Sequence, residues 1–486
     1  MEEAIVENLV FFVTNILFVT TLGWYLITNL QWYDYKIERV ILRHHKQWWH
    51  IVHFIVPLIA YYTTGKFFII FYFFAALPSL WIWHKKLDKK LVMTWRVKRF
   101  LVLLVTLSAF GNFLCLLKEA CAGYGVFMPL LVAYIGSTAI EKFLFLAYKK
   151  EAQKKLTKNE NLKVIAITGS YGKTSIKNFI ADILAKEFTV YATPRSVNTL
   201  GGIIRDINES LPQNCDFYIC EAGARERGDI LDIANLINPH YVVVGKVGLQ
   251  HIEYFKTIEN IKATKLELMQ SNRLIKAFVH TSVTDEVHDK VTHFGDDIVN
   301  INATLEGTNF SLNIDNKSVD FNTSILGAFQ TMNIDAAVLI AHAVGMNEEV
   351  IKKAVQNLKS VEHRLQRIDA GGKIILDDGY NGNIDGMLEG VRLCSLHPKE
   401  SGKRVIVTPG LVESSDELNI ELIEAINKVF DFVIVTGSLN AKLFEKHLNV
   451  KDSIVLSNKA SLELILGEKI KAGDVILFAN DAPNFI

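Results

Sequence analysis

Five apolar runs, near residues 9–30, 47–64, 67–84, 100–117 and 126–147, fill the first third of the chain. Each approaches the ~20 residues that a helix needs to cross a hydrocarbon layer. After Asn161 the pattern changes to short apolar stretches alternating with amphipathic helical periodicity, which predicts a parallel sheet. The predicted strands are Val164–Thr168, Thr189–Ala192, Phe217–Glu221, Tyr241–Val247 and Ala277–His280. A more polar stretch, Val291–Val319, reads as antiparallel strands or an insertion, and a helix follows over Asn333–Val344. A second alternating series predicts strands at Lys373–Asp377, Arg404–Thr408, Phe432–Thr436, Ser453–Leu456 and Val475–Ala479. The expected organisation is a multi-pass helical membrane region over 1–150, an α/β domain over 156–360 and a second, Rossmann-like α/β domain over 361–486.

Charge sharpens the membrane reading. The 486 residues are neutral overall, yet residues 1–150 carry 16 Lys+Arg against 8 Asp+Glu. All seven tryptophans (Trp24, Trp32, Trp48, Trp49, Trp81, Trp83 and Trp95) fall there too, as suits a membrane–water interface. Basic residues follow the first run (Lys36, Arg39, Arg43, Lys46), the third (from Lys85 to Arg99) and the fifth (Lys149, Lys150, Lys154, Lys155). The other two connections offer only Lys66 and Lys118. Basic loops stay in the cytoplasm, so the N-terminus is expected outside the inner membrane and everything after about residue 148 inside. The close spacing of the second and third runs also allows a re-entrant hairpin. Glu141 and Lys142, near the inner end of the fifth run, are expected to snorkel to the surface. The first run is too long for a cleavable signal peptide and lacks a small-residue cleavage site. The five cysteines form no Cys-x-x-Cys pair and read as reduced thiols. No nucleic-acid partner is expected.

The strand at Val164 runs into Thr168-Gly-Ser-Tyr-Gly-Lys-Thr-Ser175, and a helix is predicted to follow. Gly169 and Gly172 allow a tight turn whose backbone amides face an anion, together with the positive end of the helix dipole. Lys173 reaches the terminal phosphates of a nucleotide, and the Thr174 hydroxyl is placed for Mg²⁺. Ile167 stands where the general phosphate loop has glycine, so the fit is to a shorter Gly-x-x-Gly-Lys-Thr variant. Glu221 closes a strand in Tyr-Ile-Cys-Glu-Ala-Gly-Ala, where the edge of a parallel sheet offers a second Mg²⁺ ligand; a solvated strand-end Glu is the plainer reading. His251 follows another strand end, and Lys265 lies on a predicted helix; singly, each reads as structural or solvated.

Taken in order, Thr-Gly-Ser-Tyr-Gly-Lys-Thr, Glu-Ala-Gly-Ala, Gln-His-Ile-Glu and Ala-Thr-Lys-Leu-Glu resemble the Mur ligases, ATP-dependent amide-forming enzymes of peptidoglycan precursor synthesis. The resemblance covers about residues 161–480. It implies that Gly169, Ser170, Tyr171, Gly172, Lys173, Thr174 and Ser175 bind ATP. It also implies that Thr174, Glu221, His251 and a carbamylated Lys265 serve the metal site, with Lys173, His251, Lys265 and Arg364 catalytic. Glu362-His-Arg364 resembles the arginine that opens the family's last domain and reaches the ATP phosphates. Leu376-Asp-Asp-Gly-Tyr-Asn-Gly-Asn383 resembles the signature of the MurF branch, which adds D-Ala-D-Ala to a UDP-linked muramoyl tripeptide. By that resemblance Asp377 or Asp378 contacts the nucleotide or orders its loop, and Asn198, Tyr380 and Asn381 shape the substrate cleft. Gly327-Ala-Phe-Gln-Thr-Met-Asn333 is a partial match to the adenine-side motif and implicates Asn333.

The departures are Phe329 and Gln330 in place of His-Asn, Gly379 in place of serine, Ile384 in place of proline, and Thr408-Pro-Gly-Leu-Val-Glu413 in place of a Gly-Asp-Met-x-Glu segment. Membrane runs also stand where the family has a small domain gripping the uridine nucleotide. The expected reaction is two-step: a substrate carboxylate takes the γ-phosphate of ATP, and an amine displaces phosphate. Its partners are the muramoyl peptide, D-Ala-D-Ala, membrane lipid and membrane-bound proteins of wall synthesis. The alternatives are a lipid-linked muramoyl acceptor, or a nucleotide-binding membrane scaffold without ligase activity.

Overall fold

The computed structural model describes residues 2–42, 44–87, 89–118, 126–248, 252–284, 286, 288–314, 317–412, 414–456 and 459–481. The chain forms two compact units, Met1–Ala147 and Tyr148–Ile486.

In the first unit, four helices are long and apolar enough to cross a membrane: Leu9–Trp32, Gly65–Lys85, Trp95–Leu114 and Phe127–Lys158. The run at 47–64, expected as a further span, is helical only over Trp48–Thr63 and falls short of them. It forms one arm of a hairpin whose other arm runs to Lys85. Each arm contains a π-turn, Ile51–Ile55 and Tyr72–Ala76, and each turn precedes a proline, Pro57 and Pro78. Proline lacks an N–H and its ring crowds the carbonyl four residues back, so the widened turn accommodates it. Phe18 packs on Tyr61 of one arm and Phe68 of the other, with ring centroids 5.6 and 4.7 Å apart. Tyr25, two turns further along, meets His53 and Trp83 at 5.8 and 4.9 Å. Polar side chains tie the apolar helices together: Asn15 Nδ2 donates to Tyr61 Oη at 2.7 Å, and Asn112 Nδ2 to Asn15 Oδ1 at 2.9 Å. Glu141 does not snorkel as expected. Arg99 Nε and Nη2 both donate to its Oε1, at 2.8 and 2.6 Å, because the neighbouring helix brings the guanidinium within reach.

The second unit holds three sheets. Strands β1 (Lys163–Thr168), β2 (Val190–Ala192), β3 (Phe217–Glu221), β4 (Tyr241–Val244), β5 (Lys276–His280) and β6 (Val291–Phe294) form a parallel sheet in the order β2-β3-β1-β4-β5-β6. β1 is central and buried on both faces, which explains its unbroken apolar run. The polar stretch after 290 is divided. β6 extends the parallel sheet, while β7 (Ile298–Ala303), β8 (Thr308–Ile314) and β9 (Lys317–Thr323) make a separate antiparallel sheet. The helix Gln330–Ala343 packs against the helix Lys173–Leu184 and fills the core on one face of the first sheet.

After residue 360 come β10 (Gln366–Ala370), β11 (Lys373–Asp378), β12 (Arg404–Thr408), β13 (Phe432–Thr436), β14 (Asp452–Leu456) and β15 (Val475–Ala479). They form a sheet in the order β10-β11-β15-β12-β13-β14, parallel except for β10.

Candidate active site

The site is built on the loop between β1 and the helix Lys173–Leu184. Gly169 and Gly172 take φ of 150° and 77°. Gly172 must be glycine for a second reason: a Cβ there would sit 2.3 Å from Asn333 Oδ1. The amides of Ser170 and Tyr171, expected to face an anion, donate instead to the Lys246 carbonyl at 3.0 and 3.3 Å. The amides of Lys173, Thr174 and Ser175 open the helix and have no carbonyl within it to bond, so they could hold an anion. Lys173 Nζ folds back to Gly169 O and Ser170 O, 2.7 and 3.0 Å away. Burial, reinforced by Arg364, lowers its pKa to about 8, against the opposing pull of Glu221.

Glu221 closes β3, the neighbour of β1, and is fully buried. Its Oε2 accepts from the Thr174 hydroxyl at 3.2 Å. Its Oε1 lies 2.9 Å from Lys177 Nζ, an ion contact, and receives no hydrogen bond. Glu221 Oε2 and the Thr174 hydroxyl beside it are a hard-oxygen pair that fits Mg²⁺. That ion is commonly held by one or two carboxylates and by the phosphates of its substrate. Among the described residues no cluster of three His, Cys, Asp or Glu competes for a metal. His251 lies outside the described residues.

Lys265 is buried on the helix Ile258–Leu266. Burial and the charge of Lys173 lower its pKa to about 7, while Asp229 and Glu267 act in the other direction. Glu267 itself caps the helix Asp229–Ile237, accepting from the amides of Gly228 and Leu231 at 3.0 and 3.1 Å. Asn198 lies against Gly223, whose amide donates to the Asn198 carbonyl at 2.8 Å.

The second sheet contributes Arg364. Its guanidinium lies 6.0 Å from the Tyr380 ring centroid and donates to the Tyr380 carbonyl. Burial lowers its pKa, and Asp378 and Glu221 oppose that shift. Gln330 Nε2 donates to the Arg364 carbonyl at 3.4 Å. Asp377 and Asp378 order their loop rather than facing outward. Asp377 Oδ2 is 2.7 Å from His363 Nδ1, and Asp378 accepts from Leu365 N and Asn381 Nδ2 at 2.9 and 2.7 Å. These contacts hold His363 and Leu365 at φ of 59° and 54° on either side of Arg364. Asn381, expected on the cleft surface, is buried beneath the loop, whereas Tyr380 is 56% exposed. Asn333, expected beside adenine, lies against Gly172 and donates to Gln330 Oε1 at 2.8 Å.

Sequence reasoning missed Lys177, Lys246, His363 and Glu267. Lys177 stands one helical turn beyond Lys173 and shares its face, a position that by sequence alone reads as solvated. Lys246 Nζ, 2.8 Å from Asp385 Oδ2, ties the β4 loop to the helix Ile384–Ser395.

A phosphate loop at the centre of a parallel sheet, an acid closing the next strand and an arginine from a second sheet define a phosphate-loop α/β protein built to use a nucleotide. Residues 167–341 match the Mur ligase middle domain. The UDP-N-acetylmuramoyl-tripeptide–D-alanyl-D-alanine ligase of Escherichia coli (strain K12) is 29% identical over 273 residues, 52% of this chain and 59% of that protein. The Bacillus subtilis (strain 168) enzyme of the same name is 26% identical over 340 residues, 65% of this chain and 72% of that one. The crystal structure of MurF ligase from Thermotoga maritima in complex with ADP superposes with a TM-score of 0.59 at 25% identity, covering 69% of this chain and 80% of that one. The chain thus spans somewhat over half the length of the first of these relatives.

Proposed function

We propose that the chain is an ATP-dependent amide ligase of the MurF type, joining D-Ala-D-Ala to a UDP-linked muramoyl tripeptide. The observation that carries this reading is the contact path from the phosphate loop to Arg364: Asn333 lies against Gly172 and donates to Gln330 Oε1 at 2.8 Å, and Gln330 Nε2 donates to the Arg364 carbonyl at 3.4 Å. The substrate carboxylate attacks the γ-phosphorus of ATP, ADP leaves, and the resulting acyl phosphate is opened by the D-Ala-D-Ala amine. Lys173 and Arg364 neutralise charge on the transferring phosphoryl oxygens. Thr174 and Glu221, with His251 and a carbamylated Lys265, would hold Mg²⁺, which would supply charge neutralisation to the phosphates. Asn198 and Tyr380 border the acceptor.

The first unit is proposed to cross the inner membrane, with the N-terminus outside and the α/β unit in the cytoplasm. The hairpin supports this sidedness. Its two arms meet the first helix at the same levels, Phe18 and then Tyr25, so it enters and leaves on one side whether or not its tip crosses. All three basic segments then share that side, as anionic inner leaflets favour. Apolar helices before the ligase domain also favour a second reading, in which the muramoyl acceptor is lipid-linked. Phosphate release from ATP by detergent-solubilised protein tests both. Release requiring UDP-muramoyl tripeptide and D-Ala-D-Ala together supports the first reading. Release only with lipid-linked acceptor supports the second, and release with neither acceptor contradicts ligase function.

A further inference from the structure

Lys177 is a buried lysine that the proposed chemistry does not use. It is 1% exposed, and its ammonium is shared among three oxygens on two parts of the site. One is Glu221 Oε1 at 2.9 Å. The others are the carbonyls of Thr193, at 2.7 Å, and of Arg195. The ammonium thus donates to two carbonyls and is held to Glu221 by charge.

The two carbonyls belong to the strap that leaves β2 and runs over the end of β3. Thr193 N donates to Ile219 O at 2.9 Å, and the Asn198 carbonyl accepts from Gly223 N at 2.8 Å. Thr199 then caps the helix Leu200–Ser210 through Gly202 N. Within the strap Arg195 sits at φ 47°, a left-handed conformation that a side chain adopts only when its surroundings hold it. Lys177 supplies that hold.

We infer that Lys177 is a positioning residue that links the metal end of the nucleotide site to the strap carrying Asn198. The inference rests on the nucleotide reading proposed above. Lys177 pins one oxygen of Glu221, which turns the other toward the Thr174 hydroxyl and presents it where a divalent cation fits. The same ammonium fixes the Arg195 carbonyl and so the path of the strap toward Asn198. A cation drawing on Glu221 and an acceptor seated against the strap therefore act on one shared group, and each alters the binding of the other by the same factor.

The test uses full-length protein in detergent with two readouts. Mn²⁺ binding in the presence of ADP is followed by electron paramagnetic resonance, and strap order by the rate of trypsin cleavage after Arg195, which is solvent-exposed. In the unmodified protein, Mn²⁺ with ADP should slow that cleavage several-fold relative to ADP alone. Lys177→Met should weaken Mn²⁺ binding about tenfold, speed the cleavage, and abolish its dependence on Mn²⁺. Lys177→Arg should restore part of both. Mn²⁺ affinity within twofold of the unmodified protein in a folded Lys177→Met variant would overturn the link, as would a strap that loosens without any change in metal binding. Should Lys177→Met not fold, cleavage in the unmodified protein that is indifferent to Mn²⁺ overturns it equally. No Mn²⁺·ADP binding by the unmodified protein would remove the nucleotide reading itself.

Discussion

Asn333 lies against Gly172, so the helix Gln330–Ala343 buttresses the phosphate loop. A Cβ at Gly172 would fall 2.3 Å from Asn333 Oδ1, in a backbone conformation with φ 77°. Both effects disfavour any side chain there, the left-handed conformation alone by ~1 kcal/mol. Gly172→Ala should therefore cut ATP affinity by tenfold or more, measured by calorimetric titration. Adding Asn333→Ala removes the clash but not the strain and should restore part of it. An unchanged affinity in the single variant would mean the loop is not held as described.

Arg364 is fixed by its neighbours. His363 and Leu365 both take left-handed φ, Asp377 and Asp378 hold that geometry, and the guanidinium faces the Tyr380 ring. A lysine reaches less far and presents a single ammonium instead of a planar fork. Arg364→Lys is expected to lower kcat for amide formation roughly 100-fold with a smaller change in ATP affinity. Equal losses in both would assign Arg364 to ground-state binding.

The strands most legible in the sequence are those buried on both faces. Phe217–Glu221, Arg404–Thr408, Phe432–Thr436 and Val475–Ala479 are found as expected because a parallel strand under helices is apolar throughout. β6 was obscured because three of its four residues are only partly buried, which blurs a strand into its polar surroundings. Lys173, Thr174 and Glu221 were legible through local motifs. Lys177 was not, since a lysine on a helix is ordinarily solvated and its carbonyl partners belong to a strap distant in pattern. The burial of Asn381 and the contact of Asn333 with Gly172 were not legible, because motif spacing does not say which way a side chain turns.

Asp378 makes a pH-dependent prediction. Burial raises its carboxyl pKa to about 7, against the opposing pull of Asn381 and Arg364. Between pH ~4 and 7 the unfolded chain has released a proton that the folded one still binds, so this group's contribution falls as pH rises through that window. Its slope can reach ~1.4 kcal/mol per pH unit. Asp378→Asn removes the titration. Amide exchange over Lys373–Asp378 should then depend less on stability loss between pH 5 and 7 in the variant than in the unmodified protein. Tryptophan fluorescence would not serve here, since all seven tryptophans precede residue 100.

That same distribution makes tryptophan emission a selective probe of the first unit. Arg99 donates twice to Glu141 Oε1, joining the helix that begins at Trp95 to the one that begins at Phe127. Glu141→Leu leaves the guanidinium without its acceptor and should lower the midpoint of the fluorescence-detected transition in detergent by a few degrees. The double change Arg99→Leu/Glu141→Leu should recover much of the loss, because an apolar pair leaves no charge unmatched. If the double variant is as unstable as the sum of two single ones, the pair contributes nothing as a pair.

Under the proposed function Lys265 carries a carbamate, and that reading makes a pH-dependent prediction. Carbamylation needs the neutral amine, and burial beside Lys173 lowers the Lys265 pKa to about 7. Above that pH the amine is neutral and open to carbon dioxide; below it the ammonium must first lose a proton. Ligase activity should therefore rise with pH through about 7, and bicarbonate should increase it most on the acidic side of that point. The folded pKa is depressed, so the burial penalty is fully present below about 7 and is relieved as pH rises toward the ordinary lysine value of 10.5. Stability of the α/β unit and activity should thus climb together in the same direction. Lys265→Ala should abolish the bicarbonate response, and a short carboxylic acid should return part of the activity by standing in for the carbamate. A bicarbonate response that survives Lys265→Ala would place the carbamate elsewhere.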